Sequence, residues 1–308
     1  MLKVTYIIGT GRSGSTLLGN VLGALSGVFH AGELLRLWKF GVTRNTPCGC
    51  GQTVLACPVW AEVLTREFPM VLESGTEIAR LASLQRSMTR TRRTVELLRG
   101  SVGEDAREYA SVMQRIYQGI AATTGATIII DSSKRPAPAA LLRHIAGVEH
   151  GYVHLVRDPR AEAFSWTRHK AVPGEPGGHL PRMRAPAAAM TWLCFHAVAE
   201  MVVRGQPSIT VRYEDLATRP AETLTAIRRG VDGRTDASPI LGDSVALGVN
   251  HAIGGNPVKF RQGHVEIRRD DEWMTQQSRF DRSVVTVMTV PLLGRYGYPL
   301  FERTAGSA

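Results

Sequence analysis

This chain is poor in several things, and each lack excludes something. It has only 4 cysteines in 308 residues and an aromatic share of 6%. No stretch of 18 apolar residues occurs, so no membrane span is expected. No charged leader runs into an apolar stretch and a small-residue cleavage site, so no secretory signal is expected and the cytoplasm is the expected compartment. No block of five or more like charges and no basic stripe interleaved with aromatics appears, which leaves nucleic-acid binding without specific support. No internal repeat and no linker divides the chain, so one domain over 1–308 is expected. Acidic residues are outnumbered, 27 against 37 basic, for a net charge of +10. That balance favours an anionic partner, and a generally Arg-rich proteome would produce it as well.

What is present is an alternation of strand and helix signals. KVTYII (3–8) is short, β-branched and ended by glycine. ATIIID (126–131), YVHLV (152–156) and SITVRY (208–213) are further strands. Helical patterns cover 16–26, 58–68, 74–99, 104–124, 136–146, 160–170, 185–204, 219–229 and 278–296. The pattern predicts an α/β fold, a mainly parallel sheet flanked by helices. The helical region 60–125 reads as an insertion between the first two of these strands. The segment 171–186, rich in Gly, Pro and Arg, reads as a mobile loop.

The first strand runs into GTGRSGST (9–16). This has the phosphate-loop spacing, but Ser15 stands where a nucleoside triphosphatase places lysine. The loop's one cation is Arg12, whose guanidinium can fork onto phosphate or sulfate oxygens. Gly11 and Gly14 let backbone N–H groups close on an anion, and Ser13, Ser15 and Thr16 add hydroxyls at a helix start. A second candidate lies in LVRDPRAEAFSW (155–166), where a strand exits at Arg157 and a helix follows the Asp158-Pro159 turn. Parallel strands bring both turns to one sheet edge, where open α/β sheets bind ligands.

GRSGSTLL together with VRDPRAEAFS resembles the PAPS-dependent sulfotransferases, PAPS being 3′-phosphoadenosine 5′-phosphosulfate. The resemblance implies a phosphate-loop fold in which the first loop, Gly11 to Thr16, holds the 5′-phosphosulfate. It also implies that Arg157 and Ser165, eight residues apart, hold the 3′-phosphate. VRYEDL (211–216) matches the family's strand-end segment, which puts Tyr213 near the adenine. GGNPVKFRQG (254–263) resembles the late cofactor loop, which assigns Arg261, Gln262 and Gly263 to the nucleotide, and Trp273 matches a tryptophan after it. The matches run in order from residue 6 to about 273.

The resemblance also answers the missing lysine. By analogy with phosphoryl transfer, moving a sulfuryl group needs positioning and charge stabilisation. Arg12 and oriented amides can supply both, and family members work without a metal, so no metal ligand is assigned.

An acceptor hydroxyl must lose its proton, and candidate bases are Glu33, His30, Asp131 and His169. Tyrosylprotein and many carbohydrate sulfotransferases use a glutamate within a similar Gly-Glu. That assigns the base to Glu33, with Arg36 matching an arginine three residues on in the tyrosylprotein enzymes. The cytosolic small-molecule enzymes use histidine, which keeps His30 and His169 in view. In IIIDSSKRP (128–136), Ser132, Ser133 and Lys134 offer donors, and Lys134 is the cation assigned to charge developing on the departing phosphate. An N-cap before Pro136 is the bland reading for Ser133 or Lys134.

CGCGQTVLACPVW places Cys48, Cys50 and Cys57 within ten residues. Three thiolates can bind zinc with a fourth ligand from elsewhere, but the spacing is not a common zinc one and no nearby histidine completes it. A disulfide of Cys48 or Cys50 with Cys57, and free thiols packed in a loop, are the other readings. Cys194 reads as core. The expected activity is sulfuryl transfer from PAPS to a carbohydrate, phenol, lipid or natural-product hydroxyl. A P-loop nucleotide kinase and a non-catalytic nucleotide binder are the alternatives.

Overall fold

The alternation Val4, Tyr6, Ile8 on one side and Thr5, Ile7 on the other sends the first strand's side chains into two separate cores. The computed structural model describes residues 1–168, 181–231, 233 and 239–300. In it β1 (Leu2–Gly9), β2 (Val28–Gly32), β3 (Ile128–Lys134), β4 (Val148–Val156) and β5 (Ser208–Arg212) form one sheet. Its order is β2-β3-β1-β4-β5, and every pairing is parallel. β1 pairs with β4 from Leu2↔Val148 to Gly9↔Leu155. On its other edge it pairs with β3, with an irregularity after Tyr6 that brings Ile8 opposite Lys134.

One face of the sheet is covered by Val63, Ile116, Ile120, Leu141 and Ala199, contributed by the helical insertion and later helices. The other is covered by Leu18 and Val21 of α1 (Ser15–Gly23) and by Leu224 and Ile227 of the helix Pro220–Val231. The fold is thus α/β, a parallel sheet flanked by helices. The chain leaves β1 to one side for β2 and β3, and to the other for β4 and β5. That reversal creates a crevice at the C-terminal end of β1.

Several sequence expectations change. β2 was not expected, and the helical insertion follows it, lying between β2 and β3. β2 is five residues long, with polar His30 at its centre, so its apolar pattern is weak. His30 is tolerated because Asn20 Oδ1 stands 3.0 Å and Ser132 Oγ 3.1 Å from its ring nitrogens. α1 lies so close to this strand that a Cβ at Gly19 would meet His30 Nε2 at 2.2 Å.

After β2 the chain forms a 3₁₀ turn, Leu34–Arg36, followed by a π-helix, Leu37–Thr43. The helix expected over 74–99 breaks into Gly75–Met88 and Arg92–Leu98. A second, antiparallel sheet joins β6 (Ile240–Leu241), β7 (Ser244–Leu247) and β8 (Gly263–Glu266).

Cys194 is exposed rather than core, because it lies on the outer side of the helix Ala185–Val203. Among the described residues that helix alone is long and apolar enough to cross a membrane. Ala189, Trp192, His196 and Ala199 form its buried side. Of the expected mobile loop 171–186, residues 171–180 lie outside the described residues, as does His169; Ala185 and Pro186 open that helix.

Candidate active site

The loop from Thr10 to Gly14 joins β1 to α1 at the crevice. Arg12 (φ 71°) and Gly14 (φ 88°) both adopt left-handed backbone. For Gly14 two demands coincide, since an added Cβ would also stand 2.5 Å from the Tyr213 ring. No side chain caps α1 and no acidic residue occupies its first turn, so its N-terminal amides and dipole are available to an anion. Ser13 Oγ donates to Thr10 O at 2.8 Å, which fixes the loop internally. Thr16 Oγ1 accepts from the Asn256 N–H at 3.1 Å. Arg12 lies over the Trp166 ring, 5.0 Å from its centroid.

Beneath the loop lies Glu162, buried, with Oε2 accepting from Thr10 Oγ1 at 2.6 Å. Burial pushes its carboxyl up to about 8, outweighing the Thr10 hydrogen bond and the pull of Arg157. At neutral pH it is therefore mostly protonated and does not cancel the positive field of the cradle.

The second turn meets the first. Arg157, immediately after β4, donates through Nη1 to Arg12 O at 2.9 Å. Its guanidinium lies 4.7 Å from the Tyr213 ring centroid, and Nη2 is 3.0 Å from Asp270 Oδ2. Arg157 Nε is buried with no hydrogen-bond partner among the described residues. An unsatisfied buried guanidinium N–H is a donor that an oxyanion ligand would satisfy. Ser165 is buried on the helix Pro159–Thr167 that follows.

Glu33 stands where β2 ends. Its N–H donates to Ile253 O at 2.7 Å. Oε1 accepts from Lys134 Nζ at 2.6 Å, and Oε2 from Arg36 Nε at 2.6 Å. Burial alone would raise the carboxyl, but the two cations overcome it and hold it at about 2. Lys134 ends β3 with φ 70°, a costly conformation for a non-glycine residue. Arg12 and Lys134 are two of the three non-glycine residues with positive φ among those described. Ser133 does not cap a helix; its Oγ accepts from the Leu35 N–H at 3.1 Å.

The remaining candidates separate. His30 is sealed in the core, and burial lowers its pKa to about 3, so it reads as structural. Asp131 is also buried, its carboxyl raised to about 6 by burial and bound by Tyr117 Oη and the Ser133 N–H. Tyr213 packs on the loop and donates its hydroxyl to Arg268 O at 3.1 Å. Arg261, Gln262 and Gly263 are exposed; the segment just before them reaches α1, through Asn256 to Thr16 and through Asn20 Nδ2 to Val258 O. Trp273 is buried and stacks with Arg160 and Arg282, not with the loop.

Four residues that shape the site went unassigned in the sequence: Thr10, Glu162, Trp166 and Asp270. Trp166 directly follows Ser165 and could have been found from the family match. Asp270 sits in a mixed charge run that gives no direction. The cysteine loop changes most, because the fold delivers a histidine from far along the chain, with Cys57 Sγ 3.1 Å from His251 Nδ1.

No family model and no curated protein matches the sequence. Among solved structures the chain is similar to a sulfotransferase domain from the curacin biosynthetic pathway. That match has a TM-score of 0.50 and 16% identity, over 98% of this chain and 99% of that one. It is also similar to a sulfotransferase domain from the Synechococcus PCC 7002 olefin synthase, with a TM-score of 0.45 and 19% identity over 97% of each chain. The first likeness identifies the architecture as a sulfotransferase fold.

Proposed function

We propose that this chain is a PAPS-dependent sulfotransferase, moving a sulfuryl group to a carbohydrate, phenol, lipid or natural-product hydroxyl and releasing adenosine 3′,5′-bisphosphate. The observation that supports it best is the hydrogen bond from Arg157 Nη1 to Arg12 O, 2.9 Å, which joins the two turns proposed to bind oxyanions. PAPS supplies a sulfuryl group activated by attachment to a phosphate. The loop Gly11, Arg12, Ser13, Gly14, Ser15 and Thr16 binds that end and stabilises charge on the transferring oxygens. Arg157 and Ser165 bind the 3′-phosphate, Tyr213 contacts the adenine side, and Arg261, Gln262 and Gly263 close over the nucleotide.

Glu33 receives the acceptor proton. In the ion-paired state it is too weak a base for that work. Lys134 therefore has to leave Glu33 for the departing phosphate oxygen, which neutralises the leaving group and raises the carboxyl's basicity together. The acceptor oxygen forms its bond to sulfur, the bond from sulfur to the phosphate oxygen breaks, and the proton ends on Glu33. No metal is assigned to this step.

Calorimetry tests the binding half. Adenosine 3′,5′-bisphosphate is expected to bind roughly tenfold or more tighter than AMP, the scale of one charge-assisted phosphate contact. Equal affinities would remove the reading. Release of adenosine 3′,5′-bisphosphate from PAPS in the presence of an acceptor panel tests the transfer.

A further inference from the structure

Cys48, Cys50, Cys57 and His251 bring three sulfurs and one imidazole nitrogen within 4.8 Å of one another. We propose that these four residues form a closed, tetrahedral Zn²⁺ site that clamps the cysteine loop to the segment around His251. This stands independently of the sulfuryl-transfer reading, and it selects zinc from the three readings that the sequence left open for this loop.

The donor set is the first argument. Three thiolates and one imidazole are a common structural zinc set, and four protein ligands leave no position open for catalysis. A tetrahedron with Zn–S of about 2.3 Å and Zn–N of about 2.0–2.1 Å has edges of roughly 3.5–3.8 Å. The four atoms need only small side-chain movements to reach it. All four cysteines of the chain are free, and Cys48 and Cys57 are fully buried.

The second argument is how firmly the scaffold aims these groups. Cys48 N donates to Gln52 O at 2.7 Å and Gly51 N to Cys48 O at 2.9 Å, forming a tight turn that presents Cys48 and Cys50 together. Cys57 directly precedes α2 (Pro58–Glu67), and its N–H is held by Thr53 O at 2.8 Å. His251 is positioned on both sides. Its carbonyl accepts from Trp60 Nε1 at 2.7 Å, and its ring stacks on Phe29, with centroids 6.4 Å apart and planes 10° from parallel. Gly49 N donates to Ala252 O at 3.1 Å, tying the two segments beside the cluster.

Charge is the third. Zn²⁺ with three thiolates and a neutral imidazole carries net −1; the three thiol protons go to solvent on binding. Lys259 is buried beside the loop, its Nζ donating to Pro47 O at 2.7 Å, and it supplies a compensating cation.

The clamp would matter to the crevice. The segment after His251 carries Ile253, whose carbonyl accepts from Glu33 N–H, and Gly254, which packs against Arg36 and Glu33.

The test is metal analysis of the full chain, expressed with zinc and purified without chelator. About one zinc per chain is expected. Replacement by Co²⁺ should give the intense visible bands of tetrahedral thiolate-bound cobalt. Cys57→Ser and His251→Ala should each lose the metal and unfold at lower temperature. If those variants do not fold, the wild type still decides: a mercurial thiol reagent should release zinc to a metallochromic dye as three thiols are modified. A folded chain that takes up neither zinc nor cobalt overturns the proposal. So does an intact mass showing a Cys48–Cys57 disulfide, and so does stoichiometric metal retained in the Cys57→Ser/His251→Ala double variant.

Discussion

Lys134 Nζ lies 2.6 Å from Glu33 Oε1, so the cation assigned to the leaving group and the carboxylate assigned to the acceptor proton neutralise each other when the crevice is at rest. Catalysis on this geometry requires the pair to separate. Removing the lysine should therefore expose the carboxylate's own basicity. Lys134→Ala is expected to move the acid limb of the single-turnover pH profile upward, from about 2 toward or above the ordinary glutamate value near 4.3, while lowering the maximal rate. Glu33→Gln should leave bisphosphate binding intact and cut turnover roughly 10²-fold or more. Near wild-type turnover in Glu33→Gln would dismiss Glu33 as the base.

Arg12 is expected to act in both the bound and the reacting state. Arg12→Ala should abolish measurable transfer and weaken PAPS binding as well, because on the proposed reading the same guanidinium faces the anion throughout. Arg12→Lys should not rescue it fully, since an ammonium cannot fork onto two oxygens or stack on Trp166 as a guanidinium does. Full rescue by lysine would show that only the charge matters.

Arg157 and Asp270 make opposite predictions at one locus. Arg157→Ala should weaken PAPS more than an analogue lacking the 3′-phosphate. Asp270→Asn should tighten adenosine 3′,5′-bisphosphate, because Asp270 occupies Arg157 Nη2 at 3.0 Å and competes with an incoming phosphate. Titration calorimetry of the two variants with both nucleotides distinguishes them. Equal losses for both ligands in Arg157→Ala would refute the 3′-phosphate role.

Glu162 makes stability depend on pH. Its folded carboxyl is raised by burial to about 8, against an ordinary value near 4.3. Between those values the folded chain holds a proton that the unfolded chain has released. This contribution to stability is full below the unfolded value and is lost as pH rises toward 8. Glu162→Gln, which keeps an acceptor for Thr10, should flatten the fall in melting temperature between pH 5 and pH 8. An unchanged slope would assign the dependence to other groups.

The parallel strands β1, β3, β4 and β5 were legible because each is a β-branched run ended by a polar or glycine turn. The Gly-rich turn after β1 and the Arg157 turn after β4 were legible as turns because glycine and proline mark them, and the structure brings them together through Arg157 Nη1 and Arg12 O. β2 was not, since His30 interrupts a five-residue strand and is made tolerable only by Asn20 and Ser132, ten and about a hundred residues away in sequence. The ion pairing of Glu33 was half visible: Arg36 is three residues on, but Lys134 reaches it only through the β2–β3 register. His251 could not be linked to the cysteines from spacing, because 194 residues separate it from Cys57.

The amide of Glu33 is anchored by the carbonyl of Ile253, a residue from the last fifth of the polypeptide. During synthesis the sheet's first strands and the glycine turn emerge long before that anchor exists. A nascent chain stalled ahead of Ile253 would have every charged group of the crevice except those of the late segments, yet lack the bond that orients its carboxylate. The pocket is therefore finished late, when the distal segment docks beside β2, and maturation of activity should trail formation of the sheet.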